Sequence, residues 1–541
     1  MQWLVLAFAV LLLNAALTFH NVWPTPWIAP TIEMSVELGV LLLGVVAYAA
    51  WRGAVPRGLR IALAVLLLLL VIGRYAEVTA PALYGRPVNF YWDAQHLPAV
   101  GAMLAKVAPW WMIAGLVLGL AALLGAIAAL LAFALGRVTA AAQITVPRRA
   151  LAAVAVALVG GYALSTLFEW PLRFWYSLPV TATYAQQAEF LLDAYSAGSN
   201  RKLPAVPLAA SNMRRLEGAD VQLVFLESYG AVAYDKPEIA EIVTPARAAF
   251  ASAVQATGRR VFSTYVESPT FGGGSWLAHI SLMSGMEIRD PGDYAVLMTQ
   301  RRDTLPKTFE AAGYHAIAVM PGMRSEWPEG SFYGFDAIYG EREVDYRGPD
   351  FGWWRIPDEF TFSRVEALAM ESGERKPLFL FLPTINTHIP FLPIPPYQAD
   401  WRRLEGSDAF PKIEVQASLA RTPDWMSLGR PYADSFAYTF TYLTGYLQQR
   451  MRPDAVLILL GDHQPAASVT GPNARWDVPV HVITRNADIG ADLLAAGFVE
   501  GVDLPPNAHS ARKMHELAPV LLHAFDAPVD GASSISVGRR R

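Results

Sequence analysis

Four short stretches of this chain carry residue types that can hold a metal ion and move a phosphate. Glu227 closes an apolar run, Val221-Gln-Leu-Val-Phe-Leu226, and a second run, Ala455-Val-Leu-Ile-Leu-Leu460, leads into Gly461-Asp462-His463-Gln464. Between them lies Gly272-Gly-Gly-Ser275, directly before an apolar stretch of helical character, Trp276 to Met283. The run Leu378-Phe-Leu-Phe-Leu382 leads into Asn386-Thr-His388-Ile-Pro390. A carboxylate, an Asp-His pair and a hydroxyl at a helix N-terminus supply four hard or borderline ligands, suited to one divalent ion: manganese, zinc or magnesium. Ligation would raise the acidity of the Ser275 hydroxyl and arm it for attack on phosphorus. Three preceding glycines let the backbone come close to a phosphate, whose charge the helix N-terminus favours. His388 is suited to donate to a leaving oxygen or to hold a phosphate oxygen. Thr270, in the same loop as Ser275, is the rival nucleophile. Each residue also has a plainer reading: Glu227 as a helix cap, the glycines as a flexible loop, His388 as a satisfied loop histidine. His279 and His509 read as structural.

These residues need a scaffold that brings distant segments together. From Asp220 onward, short β-rich runs alternate with helical stretches such as Leu305 to Gly313 and Tyr432 to Met451. Besides the three runs above, the strands are Arg260 to Tyr265, His315 to Met320 and Val478 to Ile483. Near-continuous apolar strands separated by helices predict an α/β domain with a largely parallel sheet covered on both faces. Chemistry in such sheets gathers just past the carboxyl ends of the strands.

The N-terminal part has a different character. Hydrophobic residues make up 53% of the 541-residue chain and charged residues only 17%, which predicts membrane and globular parts together. Five apolar stretches, Gln2 to Phe19, Met34 to Trp51, Leu59 to Gly73, Val107 to Leu135 and Ala150 to Phe168, predict five transmembrane helices in residues 1–170. The second connection holds Arg52, Arg57 and Arg60 and the fourth Arg137, Arg148 and Arg149, all without acids. The first has no Lys or Arg, and the third is mixed, with Arg74, Glu77, Arg86, Asp93 and Lys106. That bias puts the second and fourth connections in the cytoplasm and everything after Phe168 outside. Glu169 to Trp175 reads as an aromatic interfacial anchor, and residues 171–219 as an interfacial or plain connector helix followed by a linker. Glu33 and Glu37, near the outer end of the second span, read either as a solvated helix end or as the lip of a lipid-head-group cleft. Net charge is −4 and there is no basic run, so nucleic acid is not an expected partner. With no cysteine, disulfides, Cys-based zinc sites and thiol nucleophiles are excluded.

The order of strand-Glu, small-residue loop with a hydroxyl, later His and Gly-Asp-His resembles the alkaline phosphatase and sulfatase superfamily. With five spans ahead of it, the chain is similar to the lipoteichoic acid synthase group and the related phosphoglycerol and phosphoethanolamine transferases. That resemblance implies Glu227, Ser275, Asp462 and His463 as metal ligands, Ser275 as nucleophile through a seryl phospho-intermediate, and His388 in the substrate site. Trp327 and Arg324, in Met320-Pro-Gly-Met-Arg-Ser-Glu-Trp327-Pro-Glu329, take the place of that group's glycerol-phosphate element, with Glu329 where an arginine is expected. The nucleophile there is usually threonine, the phosphoethanolamine transferases carry disulfides, and a sulfatase places its modified residue in a C/S-x-P-x-R context. Ser275 is instead followed by Trp276-Leu-Ala-His279.

The resemblance thus implies a multi-pass bacterial inner-membrane enzyme with residues 220–541 as a catalytic domain facing the periplasm or cell exterior. Its donor would be a phospholipid and its acceptor a glycan or lipid. Hydrolysis of an extracytoplasmic phosphate ester is the alternative, and a non-catalytic membrane sensor or scaffold the reading from outside enzymology.

Overall fold

The computed structural model describes the chain except residues 1, 23–24, 85–87, 89, 96–100, 102–107, 169–171, 173–174, 201–202, 205–207, 209–210, 325–326, 328, 353, 370–374, 407–408 and 528–541. It divides into two compact units, Met1–Asn200 and Arg201–Arg541.

The first unit is helical, and each apolar stretch of the sequence forms a helix: α1 Gln2–Thr18, α2 Val36–Arg52, α3 Arg57–Tyr84, α4 Trp110–Ala142 and α5 Thr145–Leu167. Buried stripes at helical spacing hold them together, Leu6, Ala9, Leu13 and Leu17 on α1 and Leu38, Leu42, Val45 and Ala49 on α2. Ser35 caps α2 by accepting from the Leu38 N–H at 3.2 Å. Among the described residues, three helices are long and apolar enough to cross a membrane: Arg57–Leu83, Trp110–Ala142 and Thr145–Leu167. The first two have 17 residues each. Arg74 and Glu77 lie on α3 itself, not in the connection after it. The sequence hides this because Arg74 interrupts the apolar run. In the fold it is 2% exposed, and its Nε donates to the Phe19 carbonyl at 3.0 Å. Arg86 and Lys106, and most of the 169–175 anchor, fall outside the described residues. A further helix, α6 Val180–Asn200, belongs to this unit. It packs on α3, with the Tyr184 hydroxyl donating to the Leu69 carbonyl at 2.7 Å.

The second unit is built on an eight-stranded sheet: β1 Val221–Leu226, β2 Arg260–Glu267, β3 His315–Val319, β4 Ala337–Tyr339, β5 Leu378–Pro383, β6 Val456–Gly461, β7 Asp477–Thr484 and β8 Val499–Glu500. Their order is β8-β2-β7-β6-β1-β5-β3-β4. The five strands from β6 to β4 run parallel, whereas β7, β2 and β8 are joined by antiparallel pairings. The sheet is largely parallel, as expected, with antiparallel pairings confined to one side. β7 is buried at every position and reads in the sequence like an inner parallel strand, so its antiparallel direction is seen only in the fold.

Alternation along β1 shows how the sheet is covered. Val224 and Leu226 enter one core, with Val243 and Phe250 of α7 (Pro237–Ala256). Val221, Leu223 and Phe225 enter the other, with Ile280 and Met283 of α8 (Ser275–Ser284). Two more helices lie on the first face, α9 Asp358–Ala369 and α10 Gly429–Gln449, and α11 Leu517–Phe525 lies on the second.

Candidate active site

Register brings the candidate residues to one edge. Leu226, the last residue of β1, pairs with Gly461, the last residue of β6, so Glu227 and Asp462 leave the sheet side by side. On the other side of β1, Phe225 pairs with Pro383 of β5, and the Thr384 N–H donates to the Phe225 carbonyl at 2.8 Å. The segment bearing His388 thus starts beside Glu227. Thr384 Oγ1 accepts from the Glu227 N–H at 3.1 Å, and Thr387 Oγ1 donates to the Glu227 carbonyl at 2.5 Å.

Ser275 reaches the same edge as the first residue of α8. Gly272, Gly273 and Gly274 before it hold φ of +66°, +140° and +78°, a run that side chains would strain. The Gly272 N–H donates to the Gln464 carbonyl at 3.0 Å and pins the loop beside His463. Ser275 Oγ then lies 3.1 Å from Glu227 Oε2, to which it donates, and 3.2 Å from His463 Nε2. Thr270, the rival nucleophile, donates to the Gly273 carbonyl at 2.5 Å and is 4% exposed. It shapes the turn.

The ligand atoms of Glu227, Asp462 and His463 all lie within 4.8 Å of one another. His463 Nε2 is 3.6 Å from both Glu227 Oε1 and Asp462 Oδ2. His463 Nδ1 donates to the Gln464 carbonyl at 2.7 Å, which leaves the Nε2 lone pair directed at the cluster. Burial, and then the neighbouring Glu227 charge, push the Asp462 carboxyl up to about 7. Asp462 and Glu227 raise the His463 pKa against its burial. Two close carboxylates and an imidazole with a free lone pair are costly without a cation between them, and their mixed oxygen and nitrogen donors fit a divalent ion.

Two residues that the sequence reading missed order this cluster. Ser228 touches both carboxylates: its N–H donates to Asp462 Oδ1 at 2.8 Å and its hydroxyl to Glu227 Oε1 at 2.9 Å. Asp358, fully buried at the start of α9, accepts from the Ile385 and Asn386 N–H groups at 2.9 Å each. It grips the segment that carries His388. His388 Nδ1 donates to the Ile389 carbonyl at 2.9 Å, and its pKa is lowered by burial and by the neighbouring His463, against the opposing effects of the Ile389 carbonyl and Asp462.

Trp327 and Arg324 line a cavity of about 690 Å³ whose walls include none of the ligand residues. There Arg324 Nε donates to Glu341 at 2.6 Å, and Trp327 packs on Tyr333. His279 stacks edge-on against Phe225 and Phe381, and burial lowers its pKa to about 4. The exposed His509 lies 3.7 Å from Asp477.

Residues 279–509 match the sulfatase family model. That match lies within the second unit. The match takes in His388, Asp462 and His463 and begins just after Ser275. No curated protein matches the chain. Among solved structures, the chain is similar to the lipooligosaccharide phosphoethanolamine transferase A of Neisseria meningitidis, with 12% identity, 96% of this chain and 95% of that one covered, and a TM-score of 0.47. It is also similar to the phosphoglycerol transferase of Streptococcus pyogenes, with 13% identity, 64% and 81% covered and a TM-score of 0.35. For the lipoteichoic acid synthase of Listeria monocytogenes the values are 13% identity, 54% and 70% covered and 0.33.

Proposed function

We propose that the chain is a membrane-anchored, metal-dependent phosphotransferase that moves a phospholipid head group, of the phosphoglycerol or phosphoethanolamine type, to a glycan or lipid acceptor. One observation carries the reading: the Ser275 hydroxyl, at the head of a helix behind three glycines, donates to Glu227 and lies 3.2 Å from His463 Nε2, beside the ligand atoms of Glu227, Asp462 and His463. Glu227, Asp462, His463 and Ser275 would hold one manganese, zinc or magnesium ion. When bound, that ion would raise the acidity of the serine and offset charge on phosphate.

The protein's own groups do the rest. Ser275 Oγ releases its proton toward Glu227 Oε2 and forms a bond to phosphorus, while the bond from phosphorus to the diacylglycerol oxygen breaks. That oxygen takes a proton from solvent, and His388 stays in the substrate site. An acceptor hydroxyl then attacks phosphorus, the serine–phosphorus bond breaks, and Ser275 regains a proton. The N–H groups at the start of α8 favour the anionic phosphate throughout. Trp327 and Arg324 take no part in the chemical step and are assigned at most to the outer reach of the substrate.

Five apolar helices and the arginines near the facing ends of α2 and α3 and of α4 and α5 support five spans with the second unit outside a bacterial inner membrane. Anchoring keeps a lipid donor at high local concentration. The test is metal content by mass spectrometry together with diacylglycerol release from labelled phosphatidylglycerol and phosphatidylethanolamine, for the full chain in detergent. A single divalent ion per chain is expected. Release should fall at least about a thousandfold in Ser275→Ala, with the ion retained. Absence of both ion and release would overturn the reading, and bound ion without release from either lipid would move the substrate to another phosphate ester.

A further inference from the structure

The carboxylate of Glu37 and the apolar cleft below it are not used by the catalytic edge. Helices α2 and α3 are joined only by residues 53–56, yet they stand apart along their length. Between them lies a cleft of about 550 Å³, the size of a small-molecule site. Its walls include Val40, Val45, Leu59, Leu63 and Leu70, and its polar lining is confined to Glu37 and Thr181 near one end and Tyr48 near the other. The α3 wall, from Leu59 to Leu70, is about 16 Å long at 1.5 Å per residue. That is close to one leaflet of a hydrocarbon core about 30 Å thick. A dry cleft of this length in a membrane takes an acyl chain.

Charge then selects the head group. Glu37 accepts from Ser35 Oγ at 2.9 Å and from Thr181 N and Oγ1 at 3.3 and 3.4 Å. These donors are all neutral. The neighbouring acids are served differently, Glu33 by His20 and Arg74, and Glu77 by Arg74. Among the described residues no cationic side chain pairs with Glu37. A part-buried carboxylate at the lip of an apolar cleft gains most from an ammonium group that can donate hydrogen bonds.

We propose that the α2–α3 cleft is a binding site for one glycerophospholipid with a primary-amine head group, its acyl chain between the helices and its ammonium on Glu37. The site rests on the first unit being embedded in a membrane and is independent of the catalytic assignment.

Native mass spectrometry of the full chain, in micelles holding equal amounts of phosphatidylethanolamine, phosphatidylcholine and phosphatidylglycerol, tests it. The wild type should retain phosphatidylethanolamine over the other two by about tenfold, the worth of one charge-assisted hydrogen bond. Glu37→Gln should erase that preference. Gly44 lines the cleft, and a Cβ built there meets nothing within 4 Å, so Gly44→Phe should fill the space and lose the lipid. Equal retention of the three lipids by the wild type, or a preference that survives Glu37→Gln, overturns the site. Lipid retention unchanged in Gly44→Phe overturns it too. Because the readout is retained lipid, a chain that proves inactive but keeps the preference would sink the proposed reaction and leave the site standing.

Discussion

The backbone N–H of Ser228 donates to Oδ1 of Asp462 at 2.8 Å and so ties the end of β1 to the end of β6. The same residue donates its hydroxyl to Glu227 Oε1. To make both contacts it holds φ at +58°, in the left-handed region that favours glycine. Strain kept at a ligand cluster is consistent with a residue retained for aiming two carboxylates. Ser228→Gly relieves the backbone and deletes only the hydroxyl. Its expected result is a loss of metal affinity of about tenfold or more by titration calorimetry, with thermal stability unchanged or higher. Equal affinities would show that the hydroxyl aims nothing.

At Gly461 the geometry allows only glycine. A Cβ there would sit 1.9 Å from the Tyr229 carbonyl oxygen, and the pairing with Leu226 prevents retreat. Gly461→Ala should cost about 3 kcal/mol, at the upper end of overpacking, and reduce metal uptake because Asp462 is next in sequence. A melting temperature within a degree or so of wild type would contradict this, given the several degrees that such a cost implies.

Glu227 and the Asp462–His463 pair were legible as candidates because each comes at the end of an apolar run, and the carboxyl ends of such runs are where an α/β sheet does chemistry. What the residues alone could not give was register: that Leu226 faces Gly461 depends on pairing across more than two hundred positions. The same holds for Ser228, whose role follows from its backbone conformation and not from its type. Asp358 and Glu359 were passed over because two acids at a helix start are ordinary on a solvated first turn. Both are in fact 0% exposed. Their setting, Ile356-Pro-Asp-Glu-Phe-Thr-Phe362, was the available signal, since a solvated turn has little reason to be so apolar. Cleft-lining Glu37 was noticed, but only the separation of α2 and α3 distinguishes a lip from a free helix end.

Asp358 bears on catalysis through the chain it holds. Besides gripping Ile385 and Asn386, its own N–H donates to Asn386 Oδ1 at 2.7 Å. Asn in its place would turn an amide N–H₂ toward a backbone N–H and lose one of two buried acceptors. The cost is about 1–3 kcal/mol, felt by the segment bearing Thr387 and His388. Asp358→Asn should lower kcat by about ten- to a hundredfold through misplacement of His388. Metal affinity should stay within about twofold, because neither ligand strand is touched. A parallel fall in metal affinity would mean that the clamp serves the whole edge.

Glu359 gives a pH signature. Both its oxygens face the Gln398 N–H, at 3.1 and 3.2 Å, and Tyr438 donates to Oε2 at 3.4 Å. Burial outweighs these donors and lifts its carboxyl from the ordinary 4.5 to about 8. Between those values the folded chain keeps a proton that the unfolded chain has released. The contribution of Glu359 to stability is therefore full below about 4.5, declines as pH rises through this window, and is lost above about 8. Asp358, lifted to about 7 by burial, adds a slope of the same sign. Glu359→Gln is neutral in both states, so its melting temperature in detergent should fall less steeply than that of wild type from pH 5 to pH 8, with the Asp358 share remaining. Identical slopes for the two proteins would mean that Glu359 is ionised in the fold, and a cation near Tyr438 would then have to be found to account for it.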